Sequence, residues 1–111
     1  MGEGDKKILE GVPASAGVAE GQASVIISAK EQDKMVEGNI LVVPFTTPEY
    51  IPSILKSSAI VTDRGTIMSH AAVIAREFGI PGVIGTNEAT KIIKDYMEVI
   101  VDGSNGYVYK K

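Results

Sequence analysis

The most constraining feature of the sequence is the stretch from residue 59 to residue 85, in which two short apolar runs enclose a helical pattern. The runs AIVT (59–62) and PGVIG (81–85) are short and apolar enough to be buried strands. Two strands that are separated by a helix of this length run parallel and are joined by a right-handed crossover. The stretch therefore predicts a βαβ unit and an α/β fold.

The helix between these strands has clear start and stop signals. Ser69 is a good N-cap residue, and apolar residues follow it almost at once. Gly79 ends the pattern, and Pro81 lies just beyond it. These signals predict a helix over residues 70–78. Because residues 71–75 are all Ala, Val or Ile, most of its surface is expected to be buried.

Local signals of the same kind predict the remaining segments. Strands are expected at residues 22–28, 39–44, 97–103 and 106–110, and the continuous apolar run 39–44 suits a strand covered on both faces. Short helices are expected after Thr47 and Pro48 and at residues 86–95, whereas 29–38 fits a short helix or a loop. Residues 1–7 are expected to form a frayed terminus, and the Gly-containing segment 8–21 an irregular one.

Composition excludes several classes of protein. The 111 residues suit a single domain spanning residues 1–111, and 44% hydrophobic residues are enough for one core. The absence of cysteine excludes disulfide scaffolds, thiolate metal sites and cysteine nucleophiles. A net charge of −3 without basic clusters argues against nucleic-acid binding, and no apolar run approaches the ~20 residues of a membrane span. We therefore expect a cytoplasmic protein that contacts neither nucleic acid nor membrane.

The single histidine, His70, occupies the first position of the predicted helix. The first turn of a helix has backbone N–H groups without internal partners, and its dipole end is partly positive. Such a place favours anions, phosphate above all, and disfavours an imidazolium. A neutral imidazole can attack phosphorus and hold the phosphoryl group as a phosphohistidine. His70 is therefore the candidate catalytic residue.

Neighbouring residues supply what a phosphoryl group needs. Gly65 lets the loop fold closely, Thr66 and Ser69 offer hydroxyl groups, and Arg64 offers a cation. Backbone N–H groups of the first helical turn, which includes Ala71, would face the added negative charge. We predict these five residues to support the phosphate.

Other interpretations of His70 remain open at this point. A lone histidine near a helix start is most often a surface or capping residue without chemistry. A metal site is weaker, because one histidine without a clustered partner does not hold a transition metal. A Ser–His triad is weak because Ser69 and His70 are adjacent and do not face each other. Asp63 has two possible roles, orienting an imidazole nitrogen or capping a turn.

The segment VTDRGTIMSHAAVIAREFGIPGVIGT (61–86) resembles the phosphohistidine signature of the phosphoenolpyruvate-utilising enzymes. This family includes phosphoenolpyruvate synthase, pyruvate phosphate dikinase, the first enzyme of the sugar phosphotransferase system and rifampin phosphotransferase. GVPASAGVAEGQA, GNILVVPFTTPEYIP and GYVY are similar to other parts of the family's mobile domain. The resemblance implies a single swivelling β/β/α phosphohistidine domain with His70 as the carrier residue.

The sequence departs from the family pattern at three positions next to His70. Thr66 stands where the family often has a second glycine, and a positive φ there would be costly for threonine. Either the loop avoids that conformation or Thr66 adds a hydroxyl group to the site. Met68 replaces a threonine that is regulatory in pyruvate phosphate dikinases, and Ile67 stands where phosphoenolpyruvate synthases tend to have arginine.

The resemblance also implies partners, because 111 residues cannot contain a TIM barrel of ~250 residues or an ATP-grasp module. The expected function is transfer of a phosphoryl group on His70 between an ATP-grasp module and a TIM-barrel module for phosphoenolpyruvate and pyruvate. These modules would be separate subunits or other parts of a longer chain. ATP and Mg²⁺ are expected on them, with no cofactor or metal on this chain.

Two alternatives are kept beside the carrier hypothesis. One is a regulatory or interaction module that has the same fold without turnover, and the other is a carrier for a different acceptor, such as an antibiotic or a glucan. A carrier has to dock twice, so the rim around His70 should be moderately apolar. Ile67, Met68 and Phe45 are candidates for this rim, and ordinary core positions are the alternative for them.

Overall fold

A computed structural model describes residues 4–111 of the chain. The strands are β1 (Lys6–Glu10), β2 (Val12–Ser15), β3 (Val18–Val25), β4 (Ile40–Val43), β5 (Ala59–Thr62), β6 (Gly82–Ile84), β7 (Glu98–Asp102) and β8 (Tyr107–Lys110). The α-helices are α1 (Ile51–Lys56), α2 (His70–Phe78) and α3 (Ala89–Ile92), with 3₁₀-helices at Ala29–Lys34 and Pro48–Tyr50. No helix among residues 4–111 is long and apolar enough to cross a membrane.

One sheet of eight strands, in the order β1-β8-β7-β3-β4-β5-β6-β2, organises the described residues. Strands β3, β4, β5 and β6 are parallel to one another, and the other pairs are antiparallel. Only Gly11 separates β1 from β2, although these strands lie at opposite edges, so the sheet curls until its edges approach. A Cβ on Gly103 would lie 1.9 Å from the Ser15 carbonyl oxygen, so only glycine permits this close backbone approach.

Two clusters of buried side chains form the core, one on each face of the parallel strands. Ile40 and Val42 of β4 belong to the first cluster, and Leu41 and Val43 to the second. The second cluster also contains the alanines of α2, so this helix packs closely on the sheet. The prediction that residues 39–44 form a strand covered on both faces is confirmed, since β4 is fully buried.

The βαβ unit predicted from the sequence is also confirmed. β5 and β6 pair in parallel, and α2 begins at His70 and ends at Phe78. Gly79 follows with φ 69°, the left-handed conformation that glycine adopts without strain. This unit places His70 beside the carboxyl end of β5.

The predictions for the N-terminal part of the chain were wrong in two respects. Residues 8–21, expected to be irregular, contain most of β1, all of β2 and the start of β3, and Lys6 and Lys7 belong to β1 rather than to a frayed end. Residues 1–3, part of the same expectation, lie outside the described residues. β2 is an edge strand, where a proline without an N–H group is tolerated, so Pro13 was a misleading signal.

Smaller differences concern element boundaries. The strand expected at 22–28 ends at Val25, and the helix expected at 86–95 is limited to α3. Thr47 takes the predicted N-cap position before Pro48, but its side chain makes no capping hydrogen bond. The two predicted C-terminal strands are present as β7 and β8.

Candidate functional site

The loop that leads from β5 to α2 is fixed to both neighbouring strands. The Arg64 N–H donates to the Pro44 carbonyl after β4 at 2.9 Å, and the Thr86 N–H after β6 donates to the Thr62 carbonyl at 3.0 Å. The Thr62 hydroxyl donates to the Arg64 carbonyl at 2.8 Å. Because the carboxyl ends of parallel strands meet at one edge of the sheet, side chains from all three connections converge there.

Gly65 adopts φ 130°, and a Cβ there would lie 2.8 Å from both Ile84 Cγ2 and Ser69 Oγ. Glycine is therefore required, as the sequence indicated. Thr66 has no positive φ, and its Oγ1 accepts a hydrogen bond from the Met68 N–H at 3.2 Å. The first of the two alternatives for Thr66 is therefore correct, because the loop avoids the conformation that threonine disfavours.

The imidazole of His70 is held by a residue that sequence reasoning did not connect to it. Thr46 Oγ1, at a position only 8% exposed, lies 2.8 Å from His70 Nδ1. Nε2 of the half-buried ring has no hydrogen-bond partner in the described part of the chain. In the tautomer that protonates Nδ1, this N–H donates to Thr46 and the lone pair on Nε2 is free.

An open cleft of about 330 Å³ lies at His70. Its lining residues are Phe45, Thr46, Arg64, Gly65, Ser69, His70 and Ala71. Five of the six residues that the sequence suggested for the site line this cleft together. The sixth, Thr66, does not line it and contacts the site through its carbonyl oxygen, which accepts a hydrogen bond from the Ser69 hydroxyl at 2.8 Å.

The N-terminus of α2 is open toward this cleft. Ser69 has the extended backbone of an N-cap residue, but its hydroxyl donates to Thr66 and caps no helical N–H group. The first intrahelical bond runs from the Val73 N–H to the Ser69 carbonyl. Within residues 4–111 the N–H groups of His70, Ala71 and Ala72 therefore have no acceptor, and this end of the helix favours an anion.

The guanidinium of Arg64 lies over the ring of Phe45, with Cζ 4.6 Å from the ring centroid. The guanidinium forms no ion pair or hydrogen bond with the rest of the described chain. Arg64 supplies the one positively charged side chain among the residues that line the cleft.

Asp63 does not contact His70. Its carboxylate accepts hydrogen bonds from the Thr90 N–H at 2.9 Å and the Thr90 hydroxyl at 2.5 Å, near the start of α3. The carboxylate therefore takes neither predicted role as stated: it does not orient the imidazole, and it binds the start of α3 rather than a turn.

Apolar side chains of the cleft, of the loop before α2 and of α2 itself are accessible. Ile67, Met68 and Phe45 are 52%, 77% and 47% exposed, so the alternative that they are core residues is wrong. Val73, one turn along α2 from His70, adds another exposed apolar side chain. Among residues 4–111, no three His, Asp or Glu side chains form a group that could hold a metal ion.

Thr46 was missed because it lies 24 residues before His70 and follows a different strand. One signal was present: Thr46 comes shortly after the buried strand β4, and α/β proteins place functional side chains at the carboxyl ends of such strands. The sequence did not show that β4 lies next to β5.

The fold and the site together define an α/β domain that presents one histidine at the open N-terminus of a helix. The family model described as "PEP-utilising enzyme, mobile domain" matches residues 35–106. The chain belongs to this family.

Similar proteins agree with this assignment. The chain is 50% identical over 105 residues to a probable phosphoenolpyruvate synthase of Archaeoglobus fulgidus, with 95% of this chain and 14% of the relative covered. It is 52% identical over 103 residues to the phosphoenolpyruvate synthase of Pyrococcus furiosus, with 93% and 13% covered. The solution structure of an Enzyme I (nEIt) protein is 30% identical with a TM-score of 0.60, covering 70% of this chain and 32% of that chain. The chain thus spans about one seventh of the length of its curated relatives.

Proposed function

We propose that this chain is a phosphoryl-carrier domain in which His70 accepts a phosphoryl group on Nε2 and passes it on. The observation that carries the proposal is the contact between Thr46 Oγ1 and His70 Nδ1, which leaves Nε2 without a partner beside an open cleft. A surface histidine without chemistry needs neither a buried hydroxyl that fixes its ring nor a cleft at its free nitrogen, and His70 has both.

The proposed chemistry is nucleophilic attack on phosphorus. The lone pair of Nε2 forms the bond to phosphorus, and the bond from phosphorus to the donor's leaving group breaks, with the electron pair departing on that group. The proton on Nδ1 stays on the ring, and this N–H donates a hydrogen bond to Thr46 Oγ1. Onward transfer reverses these steps with a different acceptor, and the imidazole leaves with its electron pair.

The neighbouring residues have defined places in this proposal. The open N–H groups at His70 and Ala71 face the negative charge, with the Arg64 guanidinium at the edge of the same cleft. Gly65 and Ser69 shape the cleft wall, and Thr66 holds Ser69 through its carbonyl oxygen. We propose that the whole chain acts as one such domain.

The relatives support the proposal that this chain works with partner modules. Since the chain spans about one seventh of proteins named phosphoenolpyruvate synthase, we propose that other modules load and unload His70. An ATP-grasp module would bind ATP and Mg²⁺ and phosphorylate the histidine, and a TIM-barrel module would exchange the group with pyruvate or phosphoenolpyruvate. This chain would contribute the carrier and no ligand to either cofactor.

The alternative of a non-catalytic module loses its best argument. That argument was Thr66 in place of glycine, and the structure places Thr66 without a positive φ. The relatives' names favour pyruvate over an antibiotic or a glucan as the final acceptor.

The test uses the 111-residue chain with a chemical donor. Phosphoramidate transfers its phosphoryl group to an accessible imidazole nitrogen and releases ammonia. We expect one acid-labile, base-stable phosphate per chain and none on His70→Ala. A second arm uses ATP with an ATP-grasp module of a related synthase. A wild-type chain that remains unlabelled in both arms would show that the proposal is wrong.

A further inference from the structure

We propose that Phe45 is a positioning residue that holds the Arg64 guanidinium at His70, ready for the phosphoryl group. This inference rests on the proposed function and adds a part to it, because nothing in the carrier chemistry itself requires an aromatic ring at this position.

The two side chains come from different strand connections and meet at the cleft. Phe45 follows β4 and Arg64 follows β5, and both line the cleft that contains His70. The Arg64 N–H donates to the carbonyl of Pro44, the residue just before Phe45. The backbones of the pair are therefore tied together, and the 4.6 Å contact between Cζ and the ring centroid joins two anchored positions.

The kind of contact decides what the guanidinium can still do. An aromatic ring attracts the face of a guanidinium and takes none of its five N–H donors. A carboxylate partner would instead occupy these N–H donors and neutralise the charge of the guanidinium. Arg64 has no such partner among the described residues, and it is the only arginine, lysine or carboxylate residue that lines the cleft. The ring of Phe45 therefore restrains the cation while its hydrogen-bonding edge remains free.

A restrained cation loses less conformational entropy when it binds an anion. An exposed contact between a cation and an aromatic ring changes the equilibrium constant for placing the cation by about two- to fivefold. This factor is the upper limit of what Phe45 adds to the interaction between Arg64 and a phosphoryl group on His70.

The test is a pH titration of the phosphorylated chain by phosphorus NMR. After labelling with phosphoramidate, the chemical shift gives the pH at which the phosphoryl group loses its last proton. A nearby cation favours the more negative form and lowers this midpoint. Arg64→Gln should raise the midpoint, and Phe45→Leu should raise it less, by no more than about fivefold in proton-binding constant. The double variant should match Arg64→Gln, because without the cation the ring has nothing to position.

Two controls separate this role from a general effect on structure. Phe45→Tyr keeps the ring and should keep the wild-type midpoint. Phe78→Leu removes a ring of similar exposure at the far end of α2, away from the cleft, and should also leave the midpoint unchanged.

The possible results distinguish the two proposals. If Arg64→Gln raises the midpoint and Phe45→Leu does not, or if the two effects simply add in the double variant, the positioning role of Phe45 is wrong and the carrier function stands. If Arg64→Gln has no effect, Arg64 does not reach the phosphoryl group and the inference fails. If the wild-type chain accepts no phosphoryl group, both proposals fail.

Discussion

Thr46 sets which nitrogen of His70 faces the cleft, and it does so through a single contact of 2.8 Å. Replacing Thr46 by valine keeps the shape of the side chain and removes its hydroxyl group. One hydrogen bond of this kind contributes about 1 kcal/mol, so we expect the initial rate of labelling by phosphoramidate to fall by about five-fold. Thr46→Ser retains a hydroxyl group and should label at a rate close to that of the wild type. Equal rates for valine and threonine would show that Nδ1 needs no partner.

Gly65 is the residue whose backbone conformation the loop depends on. Gly65→Ala introduces strain at φ 130° together with close contacts to Ile84 and Ser69. Strain of this kind costs about 1–3 kcal/mol, so the free energy of unfolding in urea should fall by at least this amount. Gly79→Ala, where φ is 69° in the left-handed helical region and no atom lies within 4 Å of the new Cβ, should cost only about 1 kcal/mol. Equal losses would mean that neither the larger φ nor the contacts at Gly65 add to this cost.

At the scale of elements, an ion pair between Lys34 and Asp95 lies at the C-terminal end of β3. Val25 is the last residue of this strand, and its N–H donates to Asp95 Oδ1 at 2.7 Å while its carbonyl accepts from Lys34 Nζ at 2.6 Å. Lys34 and Asp95 also contact each other at 2.9 Å. Two side chains thus bind the polar groups at the strand end and connect β3 to the 3₁₀-helix and to the segment after α3.

This ion pair predicts a specific dependence of stability on pH. Burial opposes ionisation of Asp95, but hydrogen bonds from Val25 and Lys34 outweigh it and lower its pKa below the usual 3.8. Its contribution is therefore present above pH 3.8 and is lost as the pH falls through the lowered pKa. The hydrogen bond to Asp95 raises the pKa of Lys34 above 10.5, despite opposing burial, so its contribution is lost only as the pH rises through that raised value.

We expect Asp95→Asn to lower the free energy of unfolding at neutral pH, with a difference from the wild type that narrows below pH 3.8. Urea unfolding at a series of pH values measures this difference. The effect should be modest, because both side chains are more than a third exposed. Asp33→Asn makes the same chemical change at an exposed position and should show a smaller loss. A loss for Asp95→Asn that is constant down to low pH would argue that its charge is irrelevant.

Elements with local signals were predictable, and elements with distant partners were not. The helix α2 followed from Ser69, Gly79 and the apolar residues between them. The strands β1 and β2 pair with β8 and β6, which lie roughly 70 to 100 residues further along the chain. These short segments, which contain or adjoin glycine and proline, form strands only because those partners are present. No pattern within residues 6–15 indicates the pairing.

The scale of the whole molecule explains which part of the site the sequence revealed. His70, Ser69, Gly65 and Arg64 are close in the sequence, so a single motif pointed to them. Thr46 reaches the histidine only because the sheet places β4 beside β5. A contact that depends on strand order is not readable from spacing, and therefore the contact between Thr46 and His70 Nδ1 appeared only in the structure.

The apolar rim around His70 belongs to the surface of the whole molecule, and it predicts a difference between two donors. Met68 is 77% exposed, so Met68→Asp should fold normally. We expect labelling by phosphoramidate to be unchanged and labelling by an ATP-grasp module to need about tenfold more module, because a charge in an apolar contact is desolvated without a partner. Met68→Leu keeps an apolar side chain and should behave as the wild type. Equal loss with both donors would place the effect of Met68 within the site.

The pairing of β1 with β8 has a mechanical consequence. Lys6 lies opposite Lys110, so the first and last strands run side by side. Gly11, at the other end of β1, approaches Ile84 next to the cleft, about 16 Å further along the strand. Polypeptide segments attached to these two strands would therefore meet the domain at a single edge, at the end of β1 that lies away from Ile84.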